Sequence, residues 1–181
     1  MIARLREAGP ADLPLLLDLY LRFEPKAAYQ GLPPHKKATT RKWLTGLLGE
    51  PSNMHFILTL DERVAAHAAL VFYPDRLESQ EIIIFVHQDY QHAGWGRKLF
   101  LATMNAACHR LKLAQVWLSV DWLNVPARRL YHAIGFRPVP DEEDPWGEIT
   151  MVRPLQCRRC LETHCPIFTA ELIRGPIRSP Q

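Results

Sequence analysis

The chain has 181 residues, of which 48% are hydrophobic and 23% charged, an ordinary globular mix that excludes a chain disordered throughout. A formal charge of +3 is too small an excess to point to a nucleic-acid partner. The length suits one domain, residues 1–154, followed by a tail, residues 155–181.

The Leu-rich stretch from Leu13 to Leu21 is interrupted by Pro14 and Asp18, so neither a signal peptide nor a membrane span is expected there. Four cysteines without a secretory leader suit a reducing compartment, and the cytoplasm is the expected location.

Ile2 to Glu7 alternates apolar and charged residues and predicts a half-buried strand; Gly9-Pro10 breaks it before a helix from about Asp12 to Phe23. Pro25, Gly31, Pro33 and Pro34 mark a loop. Thr39 or Thr40 then caps a short helix carrying Trp43, Leu44, Leu47 and Leu48, which Gly49 and Pro51 end. His55 to Leu60 and Val64 to Phe72 are β-rich, and Asp61-Glu62-Arg63 between them predicts a hairpin with a three-residue loop.

Glu81 to His87 contains Ile82-Ile83-Ile84-Phe85-Val86, apolar on both faces, as a strand covered on both sides must be. A helix from about Gly94 to Leu111 follows, then a strand from Gln115 to Val120. Val125 to Ile134 forms another helix closed by Gly135, and a last strand region runs from Phe136 to near Arg153. The expected fold is α/β, a mixed sheet of six or seven strands flanked by about four helices.

The block Gln91-His92-Ala93-Gly94-Trp95-Gly96-Arg97-Lys98 sits between the buried strand and the long helix. A loop entering a helix offers free backbone N–H groups and the positive end of the helix dipole, which suits a phosphate, and the glycines let that backbone come close. Arg97 and Lys98 oppose the dipole unless an anion lies near.

This block resembles the Gln/Arg-x-x-Gly-x-Gly/Ala motif of the GNAT superfamily of N-acetyltransferases, with Gln88 where a Pro is often found. A second block, Asn124 to Phe136, resembles that family's later Asn, Ala, Leu-Tyr and Gly-Phe motif. The resemblance spans about residues 1–153. It implies acetyl-CoA as co-substrate, with the diphosphate on Gln91, His92, Ala93, Gly94, Trp95, Gly96 and Arg97. It also implies a pantetheine arm along Phe85, Val86 and His87, with Asn124 and Tyr131 on the far side.

The reaction so implied is transfer of an acetyl group to a primary amine of a small molecule or protein. An amine of pKa about 10.4 must first lose a proton. The resemblance makes the N–H near Val86 the donor to the thioester carbonyl and Tyr131 the proton donor to the departing thiolate; a tyrosine in a packed core would equally place its ring inside and its hydroxyl at the edge.

Glu81 is the candidate base as the carboxylate of the central strand. By the two-residue period it falls on the face opposite Val86, and Gln80 occupies the position six before Val86 where the family often has Glu. His87 and His67 are further candidates, and a strand-end surface carboxylate is the competing account of Glu81. A non-catalytic acyl-CoA-binding module is the alternative to an enzyme.

The histidines lack metal-site spacing, so no metal is expected in the domain. Cys157, Cys160 and Cys165 with His164 supply ligand types for zinc but form one cluster without a second ligand pair, so free thiols are expected there, with metal binding left open as the alternative. The expected partner is an amine acceptor, with no membrane and no nucleic acid; a homodimer is left open. Phe23, Glu24, Tyr29, Asp121, Trp122 and Trp146 lie on segments expected to shape the acceptor site.

Overall fold

A computed structural model describes residues 2–23, 36–143 and 147–155, with side chains outside 141–143. The cysteine cluster, Glu24, Tyr29 and Trp146 lie outside the described residues.

The elements are β1 (Ala3–Ala8), α1 (Leu13–Leu21), α2 (Lys37–Gly49), β2 (Met54–Leu60), β3 (Arg63–Val71), β4 (Ser79–Val86), α3 (Trp95–His109), β5 (Gln115–Asp121), α4 (Val125–Ala133), β6 (Arg137–Glu143) and β7 (Glu148–Pro154). They form a seven-stranded sheet in the order β1-β2-β3-β4-β5-β7-β6. Strands β4 and β5 are parallel, as a strand-helix-strand crossover through α3 requires.

Two details depart from the sequence reading. The hairpin between β2 and β3 has a two-residue turn, Asp61 and Glu62, both with positive φ (46° and 68°). That is the mirror-image turn whose twist suits a hairpin, reached here without glycine. Asp61 is held there by both ends of one residue: its N–H donates to the Ile2 carbonyl at 2.9 Å, and its Oδ1 accepts the Ile2 N–H at 2.7 Å.

The last strand region is two strands rather than one. Gly147, at φ 81°, lets the chain reverse so that β7 inserts between β5 and β6. The Trp122 N–H donates to the Gly147 carbonyl at 3.0 Å, and a Cβ on Gly147 would meet the Trp122 ring at 3.1 Å.

Both faces of the sheet are covered. On one, α1 and α2 bring Leu16, Leu19, Tyr20 and Leu44 onto Ile57 and Phe85. On the other, α3 lays Leu99 over Phe56, Leu58 and Ala66, and its Phe100 and Met104 over Ile82 and Val116. The small Ala66 and Ala68 of β3 let α3 lie close.

A chain of buried polar groups crosses the first of these layers. The Leu47 carbonyl can only accept, so His55 Nε2 donates to it (3.0 Å), leaving His55 Nδ1 to accept from His67 Nε2 (3.2 Å). His67 Nδ1 then accepts from the Tyr20 hydroxyl (2.8 Å). Both rings are neutral in this arrangement, since each uses its Nδ1 as an acceptor. Burial, with His55 adding to it, holds His67 down to about 3, and burial lowers His55 as well.

Because the folded His67 pKa lies below its unfolded value of about 6.5, the unfolded chain binds more protons between the two. Stability is therefore complete above the unfolded value and drains away as pH falls toward about 3. The thermal midpoint is expected to drop on acidification, and His67→Gln, which keeps a donor and an acceptor, should flatten that slope. Melting curves over an acid pH series check both.

Candidate active site

Strands β4 and β5 share register over three pairs only: Ser79 with Gln115, Gln80 with Val116 and Glu81 with Trp117. Beyond them β5 continues against β7 and β4 against β3, so the two strands part and leave a split in the sheet. The direction of the β4 backbone follows from one bond. The His87 N–H donates to the Ala65 carbonyl of β3 at 2.9 Å, and alternation along an antiparallel pair turns the backbone of Ile84 and Val86 the other way, into the split.

The α3 end of the split is built from the glycine block. A 3-10 turn at Gln88–Tyr90 leaves β4, and Gly94 stands before α3 at φ 79° with open space around it. The first helical bond is from the Lys98 N–H to the Gly94 carbonyl, 3.2 Å. The N–H groups of Trp95, Gly96 and Arg97 thus have no helical acceptor and point out of the helix start. Gly96 lies against Val86, where a Cβ would come within 3.2 Å of its side chain. Glycine is what allows the helix start and the open strand edge to touch.

The remaining residues of the block divide by role. Gln91 donates its amide to the Val86 carbonyl at 2.9 Å, tying the loop to the strand end. Trp95 is buried as an anchor, with the Lys98 ammonium 4.4 Å from its ring centre. His92, at φ 59°, and Ala93 are exposed on the loop, and Arg97 is exposed in the first turn.

Of the three residues assigned to the pantetheine arm, Phe85 and Val86 on β4 and His87 just beyond it, only Val86 faces the split, and Ile84 joins it. Phe85 lies under α1, its ring 4.5 Å from Tyr20 and 4.9 Å from Phe23, and its backbone turns toward β3. His87 is buried: Nδ1 accepts from the Asp89 N–H at 3.4 Å and Nε2 donates to the Arg22 carbonyl at 3.1 Å. The reason is strand alternation, which sends odd-numbered backbone to β3.

Asn124 caps α4, its Oδ1 accepting from the Ala127 N–H at 3.3 Å. Tyr131 lies on α4 with its ring 6.2 Å from Phe100 and 6.1 Å from Phe136. Its hydroxyl has no hydrogen-bond partner among the described residues, and burial pushes its pKa up to about 12.

At the closed end of the split stands Glu81, level with Trp117 of β5. It shares its strand face with Phe85, opposite α3, as the two-residue period predicts. Its Oε2 accepts the Tyr73 hydroxyl at 2.7 Å. Burial raises its pKa above the usual carboxylate range; the Tyr73 bond lowers it, Glu148 raises it and Arg76 lowers it. Gln80 is buried and donates to the Ser52 carbonyl at 3.4 Å, with Oε1 unpartnered. Neither His87 nor His67 has a ring nitrogen left for a substrate, since both nitrogens of each are engaged.

Tyr73, Arg76 and Trp117 escaped the sequence reading. Pro74 signals a turn after Tyr73, but no local pattern places Tyr73 against Glu81.

The family model described as Acetyltransferase (GNAT) family matches residues 13–136. The chain belongs to this family. That span of the GNAT chain runs from α1 through the split to the end of α4. Solved structures show the same fold at low identity. A PaiA N-acetyltransferase from Thermoplasma acidophilum, in complex with coenzyme A, is 15% identical (TM-score 0.68, covering 85% of this chain and 99% of its own). A ribosomal-protein-alanine N-acetyltransferase from Brucella melitensis is 20% identical (0.66; 83% and 99%). A spermidine N-acetyltransferase from Vibrio cholerae is 17% identical (0.62; 83% and 94%). No curated protein matches the sequence. Among the described residues of this GNAT domain no helix is long and apolar enough to cross a membrane, and no group of three metal-ligating side chains occurs.

The helix start tests the diphosphate assignment. Gly94→Glu sets a negative side chain beside the free N–H groups and forces a left-handed backbone that costs about 1–2 kcal/mol. Affinity for coenzyme A should fall about tenfold or more by calorimetry, with thermal unfolding showing a loss of only a few degrees.

Proposed function

We propose that the chain is an N-acetyltransferase that passes an acetyl group from acetyl-CoA to a primary amine of a small molecule or protein by direct attack on the thioester. The observation that carries this reading is the split itself. It has unpartnered helix N–H groups at one end, an open β4 edge along its side and a raised carboxyl at the other end.

The residues fit the donor in order. The N–H groups of Trp95, Gly96 and Arg97 take the diphosphate, with the positive end of the α3 dipole behind them. The N–H and C=O of Ile84 and the N–H of Val86 pair with the amides of the pantetheine arm as a neighbouring strand would, the Val86 carbonyl being taken by Gln91. From Val86 back to Glu81 is about 16 Å of strand, so an arm laid along this edge leads its thioester toward the apex. A β4 N–H facing the split then donates to the carbonyl oxygen as charge gathers on it.

The amine approaches from the face opposite α3, where Glu81 lies. Its raised pKa suits a group that must accept a proton near neutrality. As the new C–N bond forms and the C–S bond breaks, Glu81 takes the amine proton and the electron pair leaves with sulfur. Tyr131, held at about 12, stays protonated throughout. Full transfer from it to a thiolate of a thiol near 8.5 is uphill, so its hydroxyl stabilises the departing sulfur as a hydrogen-bond donor.

Gln80 favours a second reading, a non-catalytic acyl-CoA-binding module, because an amide that cannot act as a base occupies the position six before Val86. The two readings separate on a panel of small amines and peptides incubated with acetyl-CoA. The enzyme reading expects a mass increase of one acetyl group on an acceptor with release of coenzyme A. Binding of coenzyme A with no release across the panel establishes the module. On the acceptor found, Tyr131→Phe should lower kcat about tenfold while leaving coenzyme A affinity unchanged.

A further inference from the structure

A carboxylate base works only if it is aimed, and Glu81 has a partner that aims it. We propose that Tyr73 is a positioning residue for the base: its hydroxyl holds one oxygen of Glu81 so that the other faces the acceptor amine at the closed end of the split. This rests on the acetyltransferase reading above.

The placement of Tyr73 is built into the connection from β3 to β4. Tyr73-Pro74-Asp75-Arg76 is a β-turn closed by the Arg76 N–H on the Tyr73 carbonyl at 3.0 Å, and Pro74 presets φ at its second position. A second closure follows at once, the Ser79 N–H donating to the Arg76 carbonyl at 3.1 Å. The Tyr73 ring rests 5.4 Å from that of Trp117, over which the Arg76 guanidinium sits at 4.6 Å.

Trp117 is level with Glu81 across the β4 to β5 pairing. The same three-pair contact that ends the split therefore sets the height of the tyrosine relative to the carboxyl. The Tyr73 hydroxyl reaches Oε2 at 2.7 Å, and Oε1 takes no hydrogen bond among the described residues. One oxygen is tied and the other is left to accept.

The bond also tunes the carboxyl. The charged and titratable groups facing it come from two places: Tyr73 and Arg76 from the turn, where Asp75 faces Tyr73, and Glu148 from β7. Burial and Glu148 favour the protonated form, while Tyr73 and Arg76 favour the carboxylate. Without the hydroxyl, Glu81 keeps its proton to higher pH, and the base is lost first at the acid end.

The test compares full-length wild type, Tyr73→Phe, Glu81→Gln and the double variant, using acetyl-CoA and an amine found active in the panel. Tyr73→Phe should lower kcat/KM even at the alkaline end, where Glu81 is ionised and no longer aimed, and by about tenfold more at the acid end. It should cost nothing further when added to Glu81→Gln. Carboxyl-carbon NMR of Glu-labelled protein should show the Glu81 resonance titrating at higher pH in Tyr73→Phe. An active variant whose acid limb and Glu81 titration both match wild type overturns the positioning role alone. A chain that binds coenzyme A and acetylates no amine overturns the acetyltransferase reading and the positioning role with it.

Discussion

Everything at the site depends on how early β4 and β5 stop pairing. Two parallel strands that stayed in register would spend the N–H and C=O groups of Ile84 and Val86 on each other and leave no edge to offer. Pairing through Glu81 and Trp117 and no farther keeps that edge open inside the sheet, with packed side chains on both faces. An open edge on the outside of a sheet invites another chain; this one lies within the sheet.

Closing one end of that opening and polarising the other are separate problems, solved by separate pieces of local chemistry. The polar end is a matter of removing side chains. Gly96 lets α3 touch Val86, and Gly94 adopts the left-handed turn that starts the helix facing the opening. The closed end is a matter of adding them. Trp117, Tyr73 and Arg76 stack beside Glu81 and withdraw it from water far enough to change its affinity for a proton. Histidines, the commonest proton carriers near neutrality, are used elsewhere. His55 and His67 complete a buried bond chain between Tyr20 and Leu47, and His87 fastens the end of β4 to the end of α1.

Motifs that resemble a family describe positions, and the positions here divide into backbone and side-chain work. In the proposed site, Gly94, Gly96 and Val86 contribute what their backbone presents. Asn124 ends up capping α4, and Phe85 and His87 are spent on the core. A residue inside a motif stretch and a residue at the site are thus different statements, and strand alternation separates them.

Local periodicity and turn chemistry were enough to read the element order as far as the last strand region, the buried strand from Glu81, the loop-to-helix block and the opposition of Glu81 to Val86. These are legible because each depends on residues close together in the chain: a two-residue period, a glycine before a helix, an unbroken apolar run. The order β5-β7-β6, the doubling of the last strand region at Gly147, and the meeting of Tyr73 with Glu81 and Trp117 were decided by tertiary structure alone. They join residues whose separation no local pattern records: Tyr73 is placed by a turn, Trp117 by a crossover through α3, and Glu81 by the strand between them. Only packing the whole sheet shows that the three arrive at the same end of the same opening.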